Sequence, residues 1–144
     1  MSKTFLLSQT LAWTLLRVGI GILFIRFGWG KITGGAATWG QLGGTMKQVY
    51  GIGAFPVFWG FMAALAEFGG GLSMLLGLFV RPFASIMAFT MITAVAMQVK
   101  GGADLMKYGH ALTLAIVCTA LLIGGGGSMS LGAMIPGLRD RWFR

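Results

Sequence analysis

FWGFMAALAEFGGGLSMLLGLF, residues 58–79, is an almost unbroken apolar stretch with a single carboxylate, Glu67, in its middle. Crossing the roughly 30 Å hydrocarbon core of a bilayer takes about 20 residues of helix, so the stretch is long enough to span it. An ionisable group at that depth costs at least roughly 2.5–3.5 kcal/mol and persists where it is paired, hydrated or used. No other acid occurs in the first hundred residues, so the function is expected to pass near Glu67.

The rest of the chain has the same character. It is 56% hydrophobic and only 10% charged, with a mean hydropathy of +0.83, too few polar residues to coat a soluble domain of 144 residues. Apolar segments at roughly 10–31, 56–79, 82–99 and 107–125 predict four membrane-spanning helices in one domain covering 1–144. The fold class is therefore an all-α membrane protein, a four-transmembrane-helix bundle. Between the first two helices, Trp39, Leu42, Met46 and Tyr50 recur at spacings of three and four, which predicts a short amphipathic helix at the membrane surface. Glycines at 40, 43 and 44 work against it. Pro56 suits the first turn of the next helix. The turn LFVRPF, 78–83, is short enough to force antiparallel neighbours, with Arg81 at the membrane edge.

Charge and motif content exclude several functions. The net charge of +8 is spread singly between apolar helices and forms no stripe that could track phosphates, so nucleic acid is not a partner. Counting loop cations gives five on the side of the termini (Lys3, Arg81, Arg139, Arg141, Arg144) and four on the other (Lys31, Lys47, Lys100, Lys107), which favours cytoplasmic termini. The C-terminal RDRWFR suits an anionic membrane interface. Residues 10–31 are interrupted by Arg17 and Arg26 and lack a small-x-small cleavage site, unlike a signal peptide. Cys118 is alone, so the chain carries no dithiol pair, and a small buried side chain is its expected role. One histidine, His110, cannot ligate haem from both sides, and no haem, flavin, iron–sulfur or metal motif is present.

At about 100° per residue, Arg17, Gly21, Phe24, Gly28 and Lys31 share one face of helix 1, and Gly60, Ala64, Glu67, Gly71 and Met74 share one face of helix 2. Alternating small and functional residues let membrane helices approach closely, so these faces should pack together and bury Glu67. Depth along the helices suggests Arg17 as its partner. The pair is either a polar clasp holding the bundle or one wall of a pocket, with Trp29, Lys31 and His110 gathered above it. Arg26 lies about 180° from Arg17, where it snorkels to the interface or meets another chain.

Three segments carry a resemblance that the physics does not name: LLRVGIGILFIRFGWGKI (15–32), LAEFGGGLSMLLGLFVRPFASIMAFTMI (65–92) and GGGGSMSLGAMI (124–135). An Arg early in helix 1 with G-x-x-K at its end, E-x-x-G-G with G-L-x-x-R in helix 2, and a glycine-rich S-L tail together resemble the DoxX family of small four-helix membrane proteins. Where many relatives have His before the Gly of G-x-x-K and Asp after S-L, this chain has Phe27 and Gly132. The resemblance implies a prokaryotic inner-membrane protein, related to the membrane subunits of thiosulfate:quinone oxidoreductase and of an oxidative-stress oxidoreductase complex. On that footing a quinone is the expected ligand and other protein subunits, or further copies of this chain, are the expected partners. Glu67 or His110 would exchange protons, and Arg17, Trp29 and Lys31 would bind the quinone or an anionic substrate. Arg26, Arg81, Trp39 and Tyr50 would serve structure or docking. The rival reading is a non-catalytic anchor whose charges are only clasps.

Overall fold

The structure, a computed structural model, describes residues 3–135; the C-terminal RDRWFR lies outside them. Six helices follow in order: α1 (Lys3–Ile32), α2 (Gly35–Tyr50), α3 (Pro56–Leu76), α4 (Val80–Lys100), α5 (Leu105–Gly124) and α6 (Leu131–Met134). The helices α1, α3, α4 and α5 are long and apolar enough to cross a membrane, which is the expected four-helix architecture. The first begins earlier than the apolar stretch suggests, because no breaker stands among residues 3–9.

Local chemistry sets the boundaries. Pro56 opens α3, and Gly77, at φ 71°, ends it by donating its N–H to Ser73 O. Phe79 then takes a left-handed φ of 52°, so the chain reverses within three residues and α4 starts at Val80. Asp104 caps α5 by accepting from the Lys107 N–H at 3.2 Å. Gly51, at φ 75°, closes α2.

The glycine-bearing faces of α1 and α3 pack together as their spacing requires. A Cβ on Gly21 would sit 2.8 Å from Leu75 N and 2.9 Å from Gly71 O, so only glycine permits this approach. Gly28 meets Phe68 and Glu67 in the same way, which makes α1 and α3 antiparallel. Next, α3 turns into α4 and α4 into α5, and α5 returns beside α1: Trp13 Nε1 donates to Gly125 O at 2.9 Å, and the Phe27 and His110 rings meet at 5.5 Å. Phe24, Met74, Val80, Met87, Cys118 and Leu121 fill the core between the four. The outward faces, with Leu15, Ile22, Ile92 and Ile116, are exposed and apolar, as a lipid-facing surface must be.

Gly43 of α2 and Gly60 of α3 let α2 lie against α3. A Cβ on Gly43 would collide with Pro56 O, and one on Gly60 with Trp39 O. Gly43, one of the residues that argue against a helix by propensity, therefore allows the backbone of α2 to lie directly on α3. Its far end reaches α4, where Lys100 Nζ donates to Val49 O at 2.9 Å and Tyr50 hydrogen-bonds Thr93 at 3.1 Å.

Candidate functional site

Glu67 lies on α3 about 16 Å from Pro56, near the middle of the helix, and is 3% exposed. Its partner is Lys31, whose Nζ is 2.6 Å from both carboxylate oxygens. The expected pairing with Arg17 is wrong, and the reason is register. The first turn of α3 packs against α2 rather than α1, so the end of α1, not its middle, is level with Glu67.

Arg17 is 2% exposed and sits near the other end of α3, where its guanidinium donates to the carbonyls of Met74, Leu75 (3.3 Å) and Met129 (3.0 Å). Two of these, Met74 and Leu75, belong to the last turn of α3, where carbonyls run out of helical N–H partners and form the negative end of the helix dipole. A buried cation is thus matched there without a carboxylate. The Gly132 N–H reaches Gly77 O at 3.1 Å, tying the segment after α5 onto the same turn.

Beside Glu67 a cavity of about 310 Å³ opens between α3 and α4 and is roofed by α2. Lys31 and Glu67 are its charged wall. Trp59, Met62 and Ala63 continue the α3 side, Leu42, Thr45 and Met46 come from α2, and α4 contributes Ile86, Phe89, Thr90, Thr93, Ala94, Met97 and Gln98. The lining is mainly apolar. Ile86, Phe89 and Met97 are exposed, so the cavity is reached from the flank of the bundle that lipid would cover.

The residues singled out by sequence divide accordingly. Glu67 and Lys31 line the cavity, and Arg17 does not. Trp39 supports it from behind, with Nε1 donating to Lys31 O at 2.8 Å and its ring against Phe61. Tyr50 stands at its edge, stacked on Phe89 with centroids 6.0 Å apart. Trp29 is exposed and packs on Phe68, and His110 lies against Phe27 on the α1–α5 side; neither joins Lys31 above Glu67 as expected. Arg81 Nη2 donates to Ile123 O at 2.9 Å at the end of α5. Arg26 faces outward and, among the described residues, makes no ion pair or hydrogen bond. The α4 wall is what sequence reasoning missed. Its signal was present: Thr90, Thr93 and Gln98 fall on one helical face as a polar stripe in an apolar span.

Four apolar helices, with a half-buried ion pair on a glycine-packed interface, define a small multi-pass membrane protein. The DoxX family model matches residues 12–101, and the chain belongs to that family. It is similar to inner membrane protein YqjF of Escherichia coli (strain K12), 34% identical over 129 residues that cover 88% of this chain and 91% of the relative. No solved structure matches it. The chain is a multi-pass inner-membrane protein.

Proposed function

We propose that this chain is the membrane subunit of a quinone-linked oxidoreductase complex, and that the quinone enters the α2–α3–α4 cavity from the bilayer. The observation that carries the reading is the Lys31–Glu67 pair set into the wall of a mainly apolar cavity. Its volume of about 310 Å³ lies at the lower end of the roughly 300–1,000 Å³ found for small-molecule sites. A ring carrying polar oxygens fits the charged wall, and a prenyl tail fits the exposed flank at Ile86 and Phe89.

In this reading Lys31 donates to a ring oxygen and Glu67 exchanges a proton with it. Reducing a quinone to the quinol takes two electrons as well as two protons, and the electrons come from a partner subunit bearing a redox centre. The test is to purify the complex in mild detergent, extract bound quinone, and repeat with Glu67→Gln and Lys31→Met. Wild type should retain quinone and both variants should lose it; quinone-free wild-type complex would end the reading.

The second reading, a non-catalytic anchor, is favoured by Arg26. A guanidinium facing outward on a spanning helix, with no polar partner among the described residues, suits a docked partner chain.

A further inference from the structure

We infer that the cavity is built for a ligand that donates hydrogen bonds toward α4, and so holds the reduced hydroquinone form of its ring more tightly than the oxidised quinone. This rests on the quinone reading above and adds to it which redox state the site prefers.

The inference comes from where the threonine protons go. Thr90 Oγ1 donates to Ile86 O at 2.9 Å, and Thr93 Oγ1 donates to Phe89 O at 2.9 Å. A threonine hydroxyl has one proton and two lone pairs, and bonding back to the carbonyl four residues earlier is how the residue sits within a helix. With both protons engaged, each side chain can offer only acceptor oxygen to the cavity it lines. One Thr93 lone pair is taken by Tyr50, 3.1 Å away, because the Thr93 proton is already committed and Tyr50 must be the donor. That bond fixes the Thr93 hydroxyl in its acceptor orientation.

The opposite wall stands at the same depth. The close contact of Gly70 with Met87 marks where the antiparallel helices α3 and α4 meet. One turn beyond it on each helix lie Glu67 and Thr90, with Thr93 a further turn along α4. The Glu67 carboxylate accepts as well, so among the described residues Lys31 is the donor level with Glu67 and Thr90; Gln98, whose amide donates to Ala94 O at 3.3 Å, and Trp59, which donates to Ala54 O, line the cavity about two turns away. A quinone carbonyl, which only accepts, meets Lys31 well on one edge and faces lone pairs on the other. A hydroquinone hydroxyl donates to Thr90 or Thr93, while the other edge of its ring is read by Lys31 and Glu67. Leaving a buried polar edge unpaired is what separates the two forms.

The test uses the purified full-length protein in detergent under anaerobic conditions, titrated calorimetrically with decyl-hydroquinone, decyl-benzoquinone and the dimethyl ether of the hydroquinone. The hydroquinone should bind about tenfold more tightly than the quinone, as one or two net hydrogen bonds would give. The dimethyl ether should bind no better than the quinone. In the double variant Thr90→Val with Thr93→Val the preference should fall below about threefold with quinone affinity little changed, and Thr90→Ser with Thr93→Ser should restore it. Unchanged thermal unfolding would show that the variants remain folded. Equal or tighter binding of the quinone, or a preference that survives both valines, overturns the inference and leaves the quinone site standing. If no ring binds at all, the quinone reading falls and takes the inference with it.

Discussion

Lys31 and Glu67 are unequal partners: the lysine side chain is 34% exposed and the carboxylate side chain 4%, yet their charged atoms are 2.6 Å apart. The pair therefore responds asymmetrically to substitution. Lys31→Met strands a buried carboxylate, whereas Glu67→Gln leaves an ammonium free to turn toward water. Lys31→Met is expected to destabilise the protein by about 2–4 kcal/mol and Glu67→Gln by less, the exposure of the lysine moderating both. The double variant should recover much of the loss. Thermal unfolding in detergent of the three proteins checks this, and additive losses would count against the coupling.

Arg17 should behave independently of Glu67. Arg17→Met removes the donor from the buried carbonyl of Met74 and from the part-buried ones of Leu75 and Met129, at a cost of about 1–3 kcal/mol. Combined with Glu67→Gln, the losses should add to within about 0.5 kcal/mol, since the two sites share no partner. Rescue of one by the other would restore the pairing that register rules out.

The position of α2 depends on particular glycines. Gly43→Ala places a methyl against Pro56 O, and should cost roughly 1–3 kcal/mol or lift the helix from α3. Gly44→Ala has nothing within 4 Å and should stabilise by about 0.5–1 kcal/mol. Hydrogen exchange across residues 35–50 distinguishes them: faster in the first variant, slower in the second.

Removing Arg26 should leave the isolated protein as stable as wild type to within about 0.5 kcal/mol, because no group among the described residues depends on it. Its effect is expected in assembly. Native mass spectrometry of complexes from membranes should show a weakened partner or oligomer with Arg26→Ala, and an unchanged mass would place this arginine in lipid.

Periodicity and length were enough to read the bundle. The four spans, the shared face of Arg17, Gly21, Phe24, Gly28 and Lys31, and the outward direction of Arg26 all follow from 3.6 residues per turn, which needs no knowledge of neighbours. What failed was translation along the axis. The turn residues at 77–79 fix α3 against α4, but nothing local fixes α1 against α3 when a sixteen-residue helix intervenes. The offset set by Gly43 and Gly60 moved Lys31, rather than Arg17, beside Glu67. The cavity was partly legible, since Thr90, Thr93 and Gln98 form a stripe, but its existence depends on α2 holding the mouth of the α3–α4 hairpin. That contact runs from the Lys100 side chain to Val49 O and from Tyr50 to Thr93, pairs 51 and 43 positions apart that no local spacing announces.

The clasp around Arg17 also imposes an order on biosynthesis. Arg17 enters the bilayer with the first helix, while Met74 and Leu75 are made more than fifty residues later and Met129 later still. Until α3 arrives, the guanidinium is in the membrane without the carbonyls that hold it in the finished fold. The nascent first helix must hold that charge by other means, and the full clasp closes only once Met129 has been made. Ribosome-bound intermediates ending before and after residue 129 would therefore differ in how firmly α1 is held against α3, so that a late segment of the fold secures its first helix.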